Sequence, residues 1–361
     1  MHPPSGLWGK RGAMARPLPR FCFCSIPYQY PNTSDGVDSL RRAIVPFVHH
    51  EEVTTTLKVL VTAPINPDAL AIVEQHFPVT KAILISTEDL KKIIGDYDIL
   101  LMRTDQTIDR DMLEHAKKLK LVAVASIGLD HVDLDAAKEK SVLVFNSPGG
   151  NSQSVAELAI GLMISLARKV AVADHDVRQG IWERSKYGGV ELEGKTLGLI
   201  AIGNIGTRVA KMAQAIGMSV IAVDPYVPAE RAAQADIELT TLDQVISRSD
   251  VISIHSPLTN ETHHLINADK LAKMKNTAML INTARGPIID EKALYNALKN
   301  GTIAGAAVDV FEEEPCHSSP LFELDNCIVL PHLGGVTGEA LKKMGFIAAQ
   351  RLIEEAKKLG A

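Results

Sequence analysis

No stretch of the 361 residues is apolar for long enough to cross a bilayer. The best candidate, Leu158 to Ala167, covers about ten residues against the ~20 a spanning helix needs, and Glu157 and Arg168 flank it. A transmembrane helix is excluded on that ground. Cysteine is scarce: Cys22, Cys24, Cys316 and Cys327 have neither the density of a disulfide framework nor the paired spacing of a metal site. That points to a reducing compartment, cytoplasmic in the simplest case, and to no structural metal. Charge of one sign is also missing, because 38 Lys and Arg stand against 43 Asp and Glu for a net of -5. Nothing in that balance calls for a nucleic acid or a membrane surface as partner. No repeat or low-complexity tract interrupts the folded part, and 46% hydrophobic residues suffice for two domain cores. Small-molecule chemistry is what remains.

The first 56 residues differ from the rest. They carry Lys10, Arg11, Arg16 and Arg20 and no acidic residue before Asp35, which suits either an organellar transit leader or a plain extension. Scattered prolines work against the amphipathic helix that a mitochondrial signal uses, and disorder is expected in either case. From Leu57 the chain alternates short β-branched runs with helical patterns, the rhythm of parallel sheets flanked by helices. Strands are expected at Lys58 to Thr62, Ala82 to Ser86, Ile99 to Met102, Leu121 to Ala125 and Val142 to Phe145. A helix apolar nearly all round should run from Ser154 to Gln179, as a buried element does. A second strand series should begin at Thr196 and end at Cys327 to Leu330, and Glu339 to Leu359 should form a closing helix. The expected class is α/β, with two Rossmann-like domains, parallel sheets and a cleft between them. The two units join near Pro148-Gly149-Gly150, and the closing helix fits a terminal cap.

The strand from Thr196 to Ile202 runs into Gly203-Asn204-Ile205-Gly206 and then into a helix, the context that a dinucleotide fingerprint requires. Gly203 lets the backbone approach a pyrophosphate, Gly206 lets helix and strand pack closely, and the helix N-terminus offers free N–H donors. Asp224 ends the next strand, where a carboxylate accepts from ribose hydroxyls and repels a 2'-phosphate. The cofactor expected is therefore NAD rather than NADP. At the first glycine position stands Ala201, tolerable if its φ is negative.

Three polar residues follow successive strands of the second series: Arg285 in Thr283-Ala284-Arg285-Gly286, Glu314 in Glu312-Glu313-Glu314-Pro315, and His332 in Pro331-His332-Leu333-Gly334. Parallel sheets place ligand-contacting groups at such strand ends. A 2-keto acid calls for a planar bidentate cation at its carboxylate and carbonyl, which a guanidinium supplies. It also needs a proton for the carbonyl oxygen, and imidazole titrates in the right range. A carboxylate beside that imidazole would fix its tautomer and raise its pKa. His131, His255, His263 and His264 lack such company in the sequence and read as structural or peripheral.

These segments, together with Ile127-Gly128-Leu129-Asp130, Asn146-Ser147-Pro148-Gly149-Gly150-Asn151, Trp182-Glu183-Arg184, Gly194-Lys195-Thr196-Leu197-Gly198 and His255-Ser256-Pro257-Leu258, resemble the D-isomer-specific 2-hydroxyacid dehydrogenase family from about Leu57 to Thr337. Within it, the members acting on 3-phosphoglycerate in serine biosynthesis are most alike. The resemblance implies that Arg285 binds and polarises substrate, that His332 is the acid and base, and that Glu314 is its partner. It implies that Gly203, Asn204, Ile205, Gly206, Asp224, Ser256, Pro257, Thr262, Thr283, Ala284 and Asp309 contact NAD. Arg103 and the backbone of Ser126, Ile127 and Gly128 would contact substrate, and a homodimer would form on Ser154 to Lys186. The resemblance also implies a substrate domain of 57–147 plus 333–361, with the NAD-binding domain, 148–332, inserted between its parts. The chain departs from phosphoglycerate-acting members at Val124, where they can carry an arginine, and at His131, where asparagine is usual. Hydroxypyruvate or glyoxylate reduction is thus an alternative. An NADH-sensing corepressor on the same fold is another. Because the sequence stops at Ala361, no appended regulatory domain and no control by serine are expected.

Overall fold

A computed structural model describes residues 57–359, all within one compact unit. The basic leader, Cys22 and Cys24 lie outside the described residues. The first sheet is built from β1 (Val59–Val61), β2 (Val79–Lys81), β3 (Ile99–Met102), β4 (Leu121–Val124) and β5 (Leu143–Phe145). All pairings are parallel, in the order β2-β1-β3-β4-β5. Side chains alternate across a strand, so Val59, Val61, Ile99 and Leu101 enter one core while Leu60, Leu100 and Met102 enter the core on the opposite face. With both faces covered, strands such as Ile99–Met102 read as unbroken apolar runs.

The strand expected at Ala82 to Ser86 is a misplacement. The edge strand lies just upstream at Val79–Lys81, and 82–86 form a turn in which Leu84 takes a φ of 61°. Ser86 then caps the next helix by accepting the Asp89 N–H. An edge strand with one half-buried and two exposed residues leaves no periodic signature to find.

After β5 the chain crosses over through α1 (Ser152–Ala167) and α2 (Val170–Arg178). The single helix expected here is interrupted, because Lys169 turns left-handed at a φ of 52°. Burial all round is corrected as well: Ala156, Ala159, Leu162, Met163 and Ala167 enter the core, whereas Ile164 and Val170 stay exposed.

The second sheet comprises β6 (Thr196–Ile200), β7 (Ser219–Val223), β8 (Glu238–Leu239), β9 (Val251–Ile254), β10 (Met279–Asn282), β11 (Gly305–Val308) and β12 (Cys327–Val329). Its parallel order is β12-β11-β10-β9-β6-β7-β8, so the winding reverses between β6 and β9. A ligand crevice opens outside the C-terminal strand ends at such a reversal. The chain then returns. In α3 (Gly338–Lys358), Ala348, Ala349, Leu352, Ile353 and Ala356 pack into the core of the first sheet. The two crossings are tied by a 2.8 Å hydrogen bond between Ser154 Oγ and Thr337 Oγ1. Ser147 Oγ also donates to the Met344 carbonyl at 2.9 Å. Two lobes thus meet at a cleft. No helix among the described residues is long and apolar enough to cross a membrane.

Candidate active site

Strands β10, β11 and β12 lie side by side, and the loops leaving their C-terminal ends carry Arg285, Glu314 and His332 in turn. All three line one cavity of about 990 Å³, opposite Arg103, Ser126, Ile127 and Gly128 of the first lobe. Glycine makes this convergence possible. A Cβ on Gly286 would lie 1.9 Å from the Phe311 carbonyl, so only glycine lets the Arg285 loop and the Glu314 loop run backbone against backbone.

His332 Nδ1 lies 2.7 Å from Glu314 Oε2. The other oxygen, Glu314 Oε1, accepts the Phe311 N–H at 3.0 Å, so the carboxylate is held from both sides. The hydrogen bond to Glu314 raises the His332 pKa against the opposing effect of burial. For Glu314, burial pushes the carboxyl up, but the bonds from His332 and Phe311 and the Arg285 charge outweigh it, and the net shift is down. The result is a hydrogen-bonded imidazole–carboxylate pair, an ion pair when the imidazole is protonated, with Nε2 of His332 left for a ligand.

His332 is itself strained, at a φ of 57°. Asp309, fully buried on the loop after β11, holds that turn. Its backbone carbonyl accepts the His332 N–H at 2.8 Å, and its two carboxylate oxygens accept the Leu333 and Gly334 N–H groups at 2.6 and 2.8 Å. Burial raises the Asp309 pKa and these bonds oppose the rise.

Arg285 is placed across the cleft. Its Nε donates to Asp130 Oδ2 at 2.8 Å and its Nη1 to the Ala284 carbonyl at 2.7 Å. In the sequence Asp130 stands only as part of a motif, with no role of its own. His131, read as peripheral, in fact lines the same cavity, and burial lowers its pKa. His317 lines it as well, whereas His255, His263 and His264 stay outside it. His255 is half-buried, with desolvation of its ring driving its pKa down to about 3, and His264 pairs with Glu312 at 2.9 Å.

The crevice fits a dinucleotide. Gly203 faces open space, with nothing within 4 Å of where a Cβ would stand, while a Cβ on Gly206 would meet the Ala201 carbonyl at 2.4 Å. Asn204 and Ile205 complete the turn into the helix Gly206–Ala215. Asp224 Oδ2 accepts the Ile202 N–H at 2.9 Å, which fixes the carboxylate beside the fingerprint. Ser256 Oγ and Thr283 Oγ1, at the ends of β9 and β10, are buried without a hydrogen-bond partner among the described residues, as groups awaiting a polar ligand would be. Ala284 is buried beside Thr283. Thr262 is occupied within its own turn, where its hydroxyl donates to the Pro257 carbonyl at 2.8 Å. Ala201 takes a φ of 71°, so the condition under which alanine would be harmless there is not met.

Fold and site define a two-lobed dinucleotide-binding protein with an arginine and a carboxylate-backed histidine at the mouth of the crevice. Residues 160–334 match the model of the D-isomer specific 2-hydroxyacid dehydrogenase NAD binding domain. D-3-phosphoglycerate dehydrogenase of Methanocaldococcus jannaschii is 45% identical over 297 residues, which is 82% of this chain but 57% of that protein. The chain therefore spans little more than half of that relative. Hydroxypyruvate reductase of Thermotoga maritima is 42% identical over 293 residues, covering 80% of this chain and 92% of that one. A crystal structure of a Thermus thermophilus protein superposes with a TM-score of 0.77 at 34% identity, covering 84% of this chain and 97% of the other. The chain belongs to the D-isomer-specific 2-hydroxyacid dehydrogenase family.

Proposed function

We propose that this protein interconverts a D-2-hydroxy acid and its 2-keto acid, with 3-phosphoglycerate and 3-phosphohydroxypyruvate as the pair. The carrying observation is the convergence of Arg285 and the hydrogen-bonded His332–Glu314 pair in one cavity outside the C-terminal ends of β10, β11 and β12. NAD, when bound, takes up or supplies the hydride. Gly203, Asn204, Ile205, Gly206, Asp224, Ser256, Pro257, Thr262, Thr283, Ala284 and Asp309 are the residues that would hold it, with Asp224 selecting against a 2'-phosphate. Residues 148–332 form its domain. The remainder, 57–147 and 333–361, forms the substrate domain.

Arg285 grips the substrate carboxylate and polarises the carbonyl, while the backbone of Ser126, Ile127 and Gly128 supports the carboxylate from the first lobe. His332 Nε2 gives its proton to the keto oxygen in reduction and removes the hydroxyl proton in oxidation. Glu314 keeps the imidazole in the orientation and tautomer that this requires. Arg103 lies on the same cavity as a cation for a phosphate.

Hydroxypyruvate is the second reading, and two features of the cavity speak for it. Among the described residues no lysine lines the cavity, and burial favours the neutral form of His131. Val124 is a fully buried core residue rather than an arginine. NADH oxidation with phosphohydroxypyruvate, hydroxypyruvate, glyoxylate and pyruvate decides. A kcat/KM at least about tenfold higher for phosphohydroxypyruvate than for hydroxypyruvate is the expected result, the scale on which one charged contact discriminates; parity would transfer the assignment to hydroxypyruvate. NADH binding with no turnover of any of the four would point to a corepressor-like sensor.

A further inference from the structure

We infer that Asp130 is a positioning residue for Arg285, and that the pair is the contact through which the first lobe sets the substrate-binding geometry of the second. The inference rests on the dehydrogenase reading above. Asp130 stands in the loop after β4, and Arg285 stands in the loop after β10, on the other side of the cleft. Their 2.8 Å bond uses Nε of the guanidinium, and Nη1 is taken by the Ala284 carbonyl. That leaves Nη2. A Cβ added to Gly128 would lie 2.3 Å from Nη2, 3.4 Å from Cζ and 2.8 Å from Asp130 Oδ2, so the guanidinium lies directly on the Gly128 backbone. The remaining donor edge is thereby aimed at the Ile127-Gly128 segment, where the substrate carboxylate is to be held.

Stability does not explain the pair. The Asp130 side chain is 58% exposed and that of Arg285 28%, and ion pairs this open to solvent contribute little to folding. An arginine side chain has several rotatable bonds, and left untethered it would sample many geometries across an open cleft. A partner on Nε removes that freedom without occupying the Nη2 corner, which reaches the substrate. An acceptor from the opposite lobe adds a further condition, since the guanidinium is aligned only when the two lobes stand at the separation seen here. Asp130 meets both requirements. Its like charge disfavours a second carboxylate close by, so its contribution must come through orientation, and an uncharged acceptor of the same shape should retain most of it.

Three variants test this. Asp130→Ala is expected to lower kcat/KM for the 2-keto acid by about 10- to 100-fold, mainly through KM, the scale of loss for a misaligned binding group. Calorimetric binding of oxamate, an unreactive 2-keto acid analogue, to the NADH-loaded protein should weaken by a similar factor while NADH affinity stays unchanged. Asp130→Asn, which keeps an oxygen for the Nε–H, should return to within about threefold of the parent, the scale of a retained neutral hydrogen bond. Gly128→Ala, which fills the seat of Nη2, should reproduce the loss of Asp130→Ala. Parent-like oxamate affinity and kinetics in Asp130→Ala would overturn the inference. So would a parallel loss of NADH affinity, which would mark Asp130 as generally structural. If the parent itself reduces no 2-keto acid, the dehydrogenase reading fails, and the oxamate measurements alone then decide whether Asp130 positions Arg285.

Discussion

The proton chemistry proposed for this site rests on a 2.7 Å contact between an imidazole nitrogen and a carboxylate oxygen. Because the Glu314 hydrogen bond raises the His332 pKa, the protonated imidazole persists above its usual 6.5, and keto-acid reduction should fall only as pH rises through that elevated value. Glu314→Gln removes the largest cause of the rise, so the alkaline limb of the reduction rate should move to lower pH in a steady-state pH profile. An unmoved limb would assign the titration to another group. His332→Ala should cut kcat by roughly 10² to 10⁴, as expected for losing a general acid, with NADH affinity retained in a fluorescence titration. The same residues show what a sequence reading reaches at this scale. Arg285, Glu314 and His332 are legible because each follows a strand and each has the chemistry that a 2-keto acid demands. Asp130 and His131 are not, because their partners are distant in the chain: 155 positions separate Asp130 from Arg285. Gly286 is equally silent, since its necessity lies in the nearness of Phe311.

Among the elements, the turn leaving β6 carries a measurable strain. Ala201 holds a φ of 71°, a region that costs a residue with a Cβ about 1–2 kcal/mol. Its carbonyl also packs against Gly206, so the turn has little room to relax. Ala201→Gly should therefore stabilise the protein by about 0.5–1 kcal/mol, once the greater freedom of glycine in the unfolded chain is set against the relief. Scanning calorimetry should show a rise of about 1–3 °C in Tm. A fall would mean that the alanine methyl makes contacts worth more than the strain. The central strands are found from sequence to within about two residues at either end, because burial on both faces demands long apolar runs. The edge strand Val79–Lys81 and the break at Lys169 escape for the converse reason. A half-exposed strand has no such demand, and a lysine in a left-handed turn leaves no local mark.

Taken whole, the molecule exposes apolar side chains where the family resemblance places a partner subunit. Ile164, Val170, Val177 and Trp182 are 41%, 51%, 46% and 77% exposed, and their cover by a second copy is the expectation to test. Sedimentation should give twice the chain mass. Trp182→Asp should shift the equilibrium to the single chain at micromolar concentration without loss of helical content, and an unchanged mass would place any interface elsewhere. By itself the amino-acid sequence determined the α/β class, the crevice for a dinucleotide and the three polar groups that the fold gathers into one cavity, since these rest on local periodicity and on residues adjacent to strand ends. The tertiary structure alone decided that Asp130 reaches Arg285 across the cleft and that Asp309 clamps the strained turn of His332. Those contacts join segments far apart in the chain, and no short-range pattern encodes the distance between two surfaces that meet only when the lobes are packed.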